Sequence, residues 1–251
     1  QDRIPEEAEV IDAAGLIAVP GFIDGHIHGA AGKDIMDATE EAIDSIARFL
    51  PLEGTTSFLA TTMTASKQKI SKVLQNIGSY ENKPGQAEML GAHLEGPFLS
   101  KSKAGAQPQS NMIDPTIDWF QTWQRQSQNR IKVITLAPEL DRAGNFIAYL
   151  KDQGVTVSAG HTNADFEAVK RAVDHGVHQL THLCNAMNGL HHREIGAVGA
   201  AFLLDELKAE LIADGFHVSS EMMKLIYRNM GSERLMLITD SMRAKGLPDG
   251  K

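Results

Sequence analysis

Short apolar runs alternate with amphipathic stretches along nearly the whole chain, and this alternation restricts its fold more than any other feature. The first run, residues 16–28, reads "LIAVPGFIDGHIH". Seven more follow, at 56–63, 88–95, 131–137, 155–161, 178–184, 209–214 and 234–240. Between them, Ile43, Ile46, Ala47 and Leu50 recur at the spacing of one helical face, as do Ile70, Val73, Leu74 and Ile77. The stretch from residue 114 predicts a helix with Asp114 as N-cap and Pro115 at its first position. Gly176 and Gly231 are placed to close two further helices. Eight strands joined by helical crossovers predict an α/β fold of the closed, parallel (β/α)8 TIM-barrel type, for which 251 residues is an ordinary length. A doubly wound open sheet is the alternative. It more often carries a Gly-rich phosphate loop after its first strand, and "DGHIHGAAG" does not match one.

The charge balance, Lys+Arg 24 against Asp+Glu 32 for a net −8, argues against nucleic-acid and anionic-membrane partners. An anionic small molecule would have to be met by a local site. The lone cysteine, Cys184, excludes an internal disulfide and fits a reducing, cytoplasmic setting. Neither a signal-peptide pattern nor a membrane-spanning apolar run is present, so a soluble protein is expected. The opening residues and the closing "LPDGK" lack natural caps. Further chain is therefore expected at both ends, including the helix that usually closes such a barrel.

Catalytic groups of these barrels gather at the C-terminal ends of the strands. Those ends hold His26 and His28, Glu95, His161, His182 and Asp240. His26 and His28 share a strand face because side chains alternate. Taken alone, the pair suits either a metal ion or two polar residues at a strand exit. Six such groups on one rim favour a metal. His93, two residues before Glu95, shares its face but lies deeper, as a packed residue rather than a ligand. His175, His178, His191 and His192 are expected on helix or loop surfaces, and Cys184 as a buried thiol. Imidazole and carboxylate donors suit a divalent Zn, Fe, Mn or Co ion. At an open site such an ion lowers the pKa of bound water to about 7. Asp240 would accept the proton of that water and pass it to the leaving group. The chemistry is hydrolysis of an amide, ester or related bond, and no Ser–His–Asp or Cys–His arrangement competes with it.

Read together, "PGFIDGHIHG", "GAHLEGPF", "VSAGHT", "THLCNAMNGLHHRE", "IADGFHV" and "LITDSM" resemble the amidohydrolase superfamily, and within it the N-acetylglucosamine-6-phosphate deacetylases, from about Val10 onward. The resemblance implies a barrel carrying a small β-sandwich built from both chain ends. Residues 1–19 would be a remnant of that sandwich, and 20–251 the barrel, with the C-terminal portion missing. It implies that Glu95, His161 and His182 hold the principal metal, with His26 and His28 completing a second site bridged by Glu95, so that one or two ions bind. Asp240 would be the acid/base. Asn185 and Ala186 would bind the sugar phosphate, His217 the amide or sugar, and Ala106 and Gln107 would lie in the substrate loop. Arg193 would pair with the phosphate across a homodimer interface, a role suited to a guanidinium's bidentate hydrogen bonding. The implied reaction converts N-acetylglucosamine 6-phosphate to glucosamine 6-phosphate and acetate. Two rivals remain: an amidohydrolase acting on another amide, and a non-catalytic sugar-phosphate binding protein. Many two-metal relatives of the first kind bridge their ions with a modified lysine at the end of strand four. Here that strand ends "ITLAPE" and Lys132 stands at its beginning, which leaves Glu95 to bridge. Asp240 argues against the second, since binding alone needs no acid/base.

Overall fold

The computed structural model describes residues 5 and 7–250. The proposed segments 1–19 and 20–251 both extend outside the described residues. Among these, eight strands form one parallel sheet in chain order: β1 (Phe22–Ile27), β2 (Thr55–Thr61), β3 (Glu88–Glu95), β4 (Ile131–Leu136), β5 (Thr156–Ala159), β6 (Val177–Leu180), β7 (Lys208–Ile212) and β8 (Leu235–Ile238). Seven helices alternate with them: α1 (Glu40–Phe49), α2 (Lys67–Ser79), α3 (Ile117–Gln126), α4 (Asn145–Asp152), α5 (Phe166–His175), α6 (Gly196–Leu203) and α7 (Ser220–Met230). This is the expected (β/α)8 barrel. Residues 7–21 carry no strand or helix, and the apolar side chains of Val10, Ile11, Leu16, Ile17 and Val19 are exposed.

Helix starts follow local chemistry. Thr39, Ser66, Asp165 and Ser219 each accept a hydrogen bond from a backbone N–H of the first turn, satisfying a donor that the helix leaves unpaired. The expected apolar faces of α1 and α2 are fully buried, although Leu50 sits in the 3-10 turn after α1. Gly176 and Gly231 cap α5 and α7 as anticipated, both at positive φ. The start of α3 is corrected: Thr116, not Asp114, is its N-cap. Thr116 has an extended backbone (φ −141°, ψ 135°), so Pro115 lies before the helix rather than in its first turn. The same helix buries Phe120 and Trp123, and Trp123 lies 5.9 Å from the Phe98 ring.

Strand limits differ from the sequence reading in two places. The first strand begins at Phe22, not residue 16; the preceding Pro20 has no N–H to give to a ladder. Strands β5, β6 and β8 stop one or more residues before His161, His182 and Asp240. These residues turn out of the extended conformation, with φ of 46°, 32° and 49°. His178 is also corrected: it is the second residue of β6, exposed, and neither on a helix nor in a loop.

Alternation in β3 sends apolar side chains outward to the helices and polar ones into the barrel. Leu94 joins the main hydrophobic core while His93 and Glu95 are buried among polar groups. A hydroxyl network forms beneath the strand ends: His93 Nε2 lies 2.7 Å from Thr135 Oγ1, Thr135 Oγ1 2.7 Å from Thr181 Oγ1, and Ser158 Oγ 2.6 Å from Thr181 Oγ1. Among the described residues, β1 and β8 share no ladder register. They are joined instead by Asp240 N–H donating to His26 O (2.9 Å), by His28 and Gly29 N–H both donating to Ser241 O, and by Thr239 Oγ1–H donating to Asp24 (2.6 Å).

Candidate active site

At the C-terminal mouth of the barrel lies a cavity of about 580 Å³, lined by side chains from several strand ends. Glu95 is its centre. One carboxylate oxygen, Oε1, lies 3.2 Å from both His161 Nε2 and His182 Nε2, and 3.6 Å from His26 Nε2. The other, Oε2, lies 3.3 Å from His28 Nε2. Asp240 Oδ1 completes the group, 3.2 Å from His28 Nε2 and 3.3 Å from His26 Nε2. The structure thus brings together all six residues expected at the rim. His161, His182 and Asp240 hold left-handed backbone conformations that cost non-glycine residues energy, strain of a kind that clusters at functional sites.

Electrostatics ties these groups together. Burial alone would raise Glu95, but His26, His161 and His182 hold its carboxyl well below the ordinary carboxylate range. Asp240 is likewise held down against burial by His26 and His28. Burial opposes charge on His28, yet its bonds to Asp240 and Glu95 lift it to about 9. His93 is pushed the other way, to about 4, by burial and by the neighbouring His26. It packs below the mouth with both ring nitrogens engaged, by Thr135 and by Gly25 O, as the sequence reading placed it. Cys184 is only partly buried, and burial pushes its thiol to about 11.

The donor set fits a divalent cation. His28 Nδ1 faces the carbonyl of Thr61, and His161 Nδ1 that of Lys103. A carbonyl only accepts, so in each neutral ring the proton sits on Nδ1 and the bare Nε2 points at Glu95. His161 Nε2 and His182 Nε2 face each other at 3.2 Å, and His26 Nε2 is buried with no hydrogen-bond partner. Carboxylates and imidazoles crowded this closely need positive charge among them, carried by protons on the rings or by a cation that takes the protons' place. Three groups of ligand atoms result among the described residues: Glu95, His161 and His182; His26, His28 and Asp240; and, below the mouth, His26, His93 and Glu210. Within each, the ligand atoms lie no more than 4.8 Å apart. Imidazole and carboxylate donors without thiolates leave Zn, Fe, Mn and Co as candidates.

The substrate-side residues divide. Ala106, Gln107, Asn185, Ala186 and His217 line the cavity. Gln107 is buried with both polar atoms engaged: its Nε2 donates to Glu95 Oε2 at 2.6 Å, and its Oε1 accepts from Thr64 N–H at 2.7 Å. His217 is exposed and bonded to Asp214. Arg193 is not among the lining residues; it is exposed, with Nη1 2.8 Å from His192 Nε2 of its own loop. Three residues absent from the sequence reading also appear. Arg243 lines the mouth and is paired with Asp37 at 3.0 Å. Asp24 and Glu210 are buried carboxylates that contact His26 from behind. Period-two spacing carried a signal for Asp24, two residues before His26, and for Glu210, a charge inside an apolar strand. Nothing in the sequence marked Arg243.

A parallel eight-stranded barrel gathers histidines and carboxylates that could hold a metal ion at its C-terminal mouth, and the chain belongs to the amidohydrolase family, whose sequence pattern matches residues 17–247. It is 45% identical over 250 residues to the N-acetylglucosamine-6-phosphate deacetylase of Bacillus subtilis (strain 168), covering 98% of this chain and 63% of that protein. It is 38% identical over 248 residues to the N-acetylgalactosamine-6-phosphate deacetylase of Escherichia coli O157:H7, covering 98% of this chain and 66% of that one. Among solved structures, a mutant N-acetyl-D-glucosamine-6-phosphate deacetylase from Mycobacterium smegmatis, in complex with N-acetyl-D-glucosamine-6-phosphate, superposes with a TM-score of 0.88 at 33% identity, covering 92% of this chain and 60% of that one. The chain therefore spans less than two-thirds of the length of these relatives. Among the described residues no helix is long and apolar enough to cross a membrane.

Proposed function

We propose that the chain carries the active site of a metal-dependent deacetylase that hydrolyses N-acetylglucosamine 6-phosphate to glucosamine 6-phosphate and acetate. The observation that carries this reading is the convergence of four imidazole Nε2 atoms on Glu95 and Asp240 at an open mouth. The named activities of the relatives support it. Glu95, His161 and His182 would hold one divalent ion, and His26 and His28 a second with Glu95 between them. Such an ion, when bound, polarises the amide carbonyl and makes water acidic enough to be deprotonated near neutral pH. Asp240, open to the mouth on one side, takes the proton of the attacking water and returns it to the leaving amine. Asn185, Ala186, His217, Ala106 and Gln107 form the wall against which the sugar phosphate lies. Arg193, exposed and outside the cavity, reaches a phosphate from a second protomer of a homodimer. A cytoplasmic setting fits the lone cysteine and a phosphorylated substrate.

The test is release of free amine from N-acetylglucosamine 6-phosphate by purified protein, with and without a chelator, and with N-acetylgalactosamine 6-phosphate as competitor. Chelator-sensitive release with preference for the gluco sugar is expected. Release that ignores the chelator overturns the metal-dependent reading. Binding without release points to a non-catalytic sugar-phosphate protein, and preference for the galacto sugar reassigns the substrate.

A further inference from the structure

We infer that Glu210 is a positioning residue that holds His26 ready to bind metal through Nε2 and thereby sets the affinity of the second ion site. The inference rests on the metal-dependent reading of the mouth.

Glu210 lies on β7, below the mouth and almost wholly buried, and its carboxylate is fully engaged. Oε2 lies 2.9 Å from His26 Nδ1 and accepts from the backbone N–H of His182 at 3.3 Å. Oε1 accepts from Gln179 Nε2 at 2.6 Å. The His182 N–H can only donate, so the oxygen shared with His26 is an acceptor there. In a neutral His26 ring the proton must then sit on Nδ1, leaving Nε2 bare between Glu95 and Asp240. His28 and His161 reach the same state by donating to backbone carbonyls, but His26 alone of the three donates to a carboxylate. A carboxylate behind a ligating imidazole fixes its orientation and raises its basicity, and loss of such a partner typically weakens metal binding about 10- to 100-fold.

A second observation points the same way. Asp24, Glu95 and Glu210 are all buried, and the buried polar residues among those described include no lysine or arginine to balance them. Buried charge without a partner is costly, so the balance falls to the clustered imidazoles and to any cation they hold in the mouth, and His26 is the ring that contacts both Glu210 and Glu95. Because Glu210 also holds the His182 backbone, it joins a residue of each proposed ion site to one rigid strand.

The experiment titrates metal-free protein with Zn2+ in four forms: parent, Glu210→Gln, His26→Ala and the double variant. Glu210→Gln is expected to weaken one Zn2+ site about 10- to 100-fold and leave the other unchanged. In the His26→Ala background the same substitution should have no further effect on that site, because Glu210 acts through His26. In zinc-loaded parent protein, the His26 Nδ1–H proton is expected as a downfield, slowly exchanging NMR signal that is absent in His26→Ala and moves upfield in Glu210→Gln. Unchanged Zn2+ affinity in Glu210→Gln overturns the inference. So does an undiminished effect in the His26→Ala background, or an unmoved ring N–H signal. If Glu210→Gln does not fold, Glu210→Asp, which retracts the oxygen by one methylene, takes its place with the same expectations. Zn2+ binding is read without turnover. A parent that binds zinc but releases no amine therefore counts against the proposed reaction, not against the role of Glu210.

Discussion

Replacing Asp240 with asparagine separates proton transfer from metal binding. The side chain keeps its shape, and asparagine tolerates the left-handed backbone at this position (φ 49°), so no strain is added. The backbone bond from Asp240 N–H to His26 O at 2.9 Å does not involve the side chain. Asp240 is not part of the Glu95, His161 and His182 group, whose ligand atoms lie within 4.8 Å of one another. That site should keep its ion. What the amide cannot do is accept a proton, and general acid–base catalysis contributes about 10²- to 10⁴-fold. The expected loss in kcat corresponds to about 2.7–5.4 kcal/mol of barrier. Free-amine release measures kcat, and elemental analysis after gel filtration measures bound metal. A kcat within tenfold of the parent, or loss of all metal together with activity, would refute the assignment of Asp240 as proton carrier.

Dialysis against a chelator is expected to abolish amine release and lower the unfolding midpoint, both restored by Zn2+; an unchanged midpoint would mean that the clustered imidazoles hold no ion. Gly160→Ala places a Cβ 2.7 Å from Thr181 Cβ and 2.9 Å from Thr135 Cγ2, inside the barrel and beside His161. Overpacking of this kind costs about 1–3 kcal/mol, or about 2–12 °C of melting temperature for a chain of this size, and scanning calorimetry reads it. Asp24→Ala strands the Thr239 hydroxyl and the His26 N–H, at a cost of about 1–3 kcal/mol, which a urea melt would register as a lower midpoint at unchanged slope. Arg193→Ala is expected to raise KM for the phosphorylated sugar about 10- to 150-fold, the worth of charge-assisted hydrogen bonds, with kcat little changed; an unaltered KM would remove Arg193 from the phosphate site.

Alternation made the barrel legible, because eight apolar runs separated by helix-length crossovers admit few folds. Helices α1 and α2 were legible for the same reason, their apolar residues falling on one face. Helix α6 was not singled out: "GAVGAAFL" is apolar all round and mostly buried, so no periodic contrast marks it. The rim residues could be located from strand ends alone, since the barrel itself brings separated strands to one mouth. What supports them could not. Glu210 contacts His26 across 184 residues, and Asp24 meets Thr239 across 215, contacts that only the closed cylinder creates. The displaced cap of α3 shows the limit of local rules, since Pro115 is compatible with the first helical turn but Thr116 stays extended.

The junction between the first and last strands has a consequence for how the molecule loosens. His26 and His28 stand on one lip of that seam and Asp240 on the other, and scattered bonds rather than a continuous ladder hold the lips together. Opening of the cylinder along this seam would therefore pass through the cluster at the mouth. Local opening there is expected to uncouple the two histidines from the carboxylate without exposing the core under α1 to α5. Anything gripping both lips acts as a clasp, and its occupancy should be legible in slowed amide exchange at Asp240 and at His28 and Gly29, whose N–H groups bridge the gap.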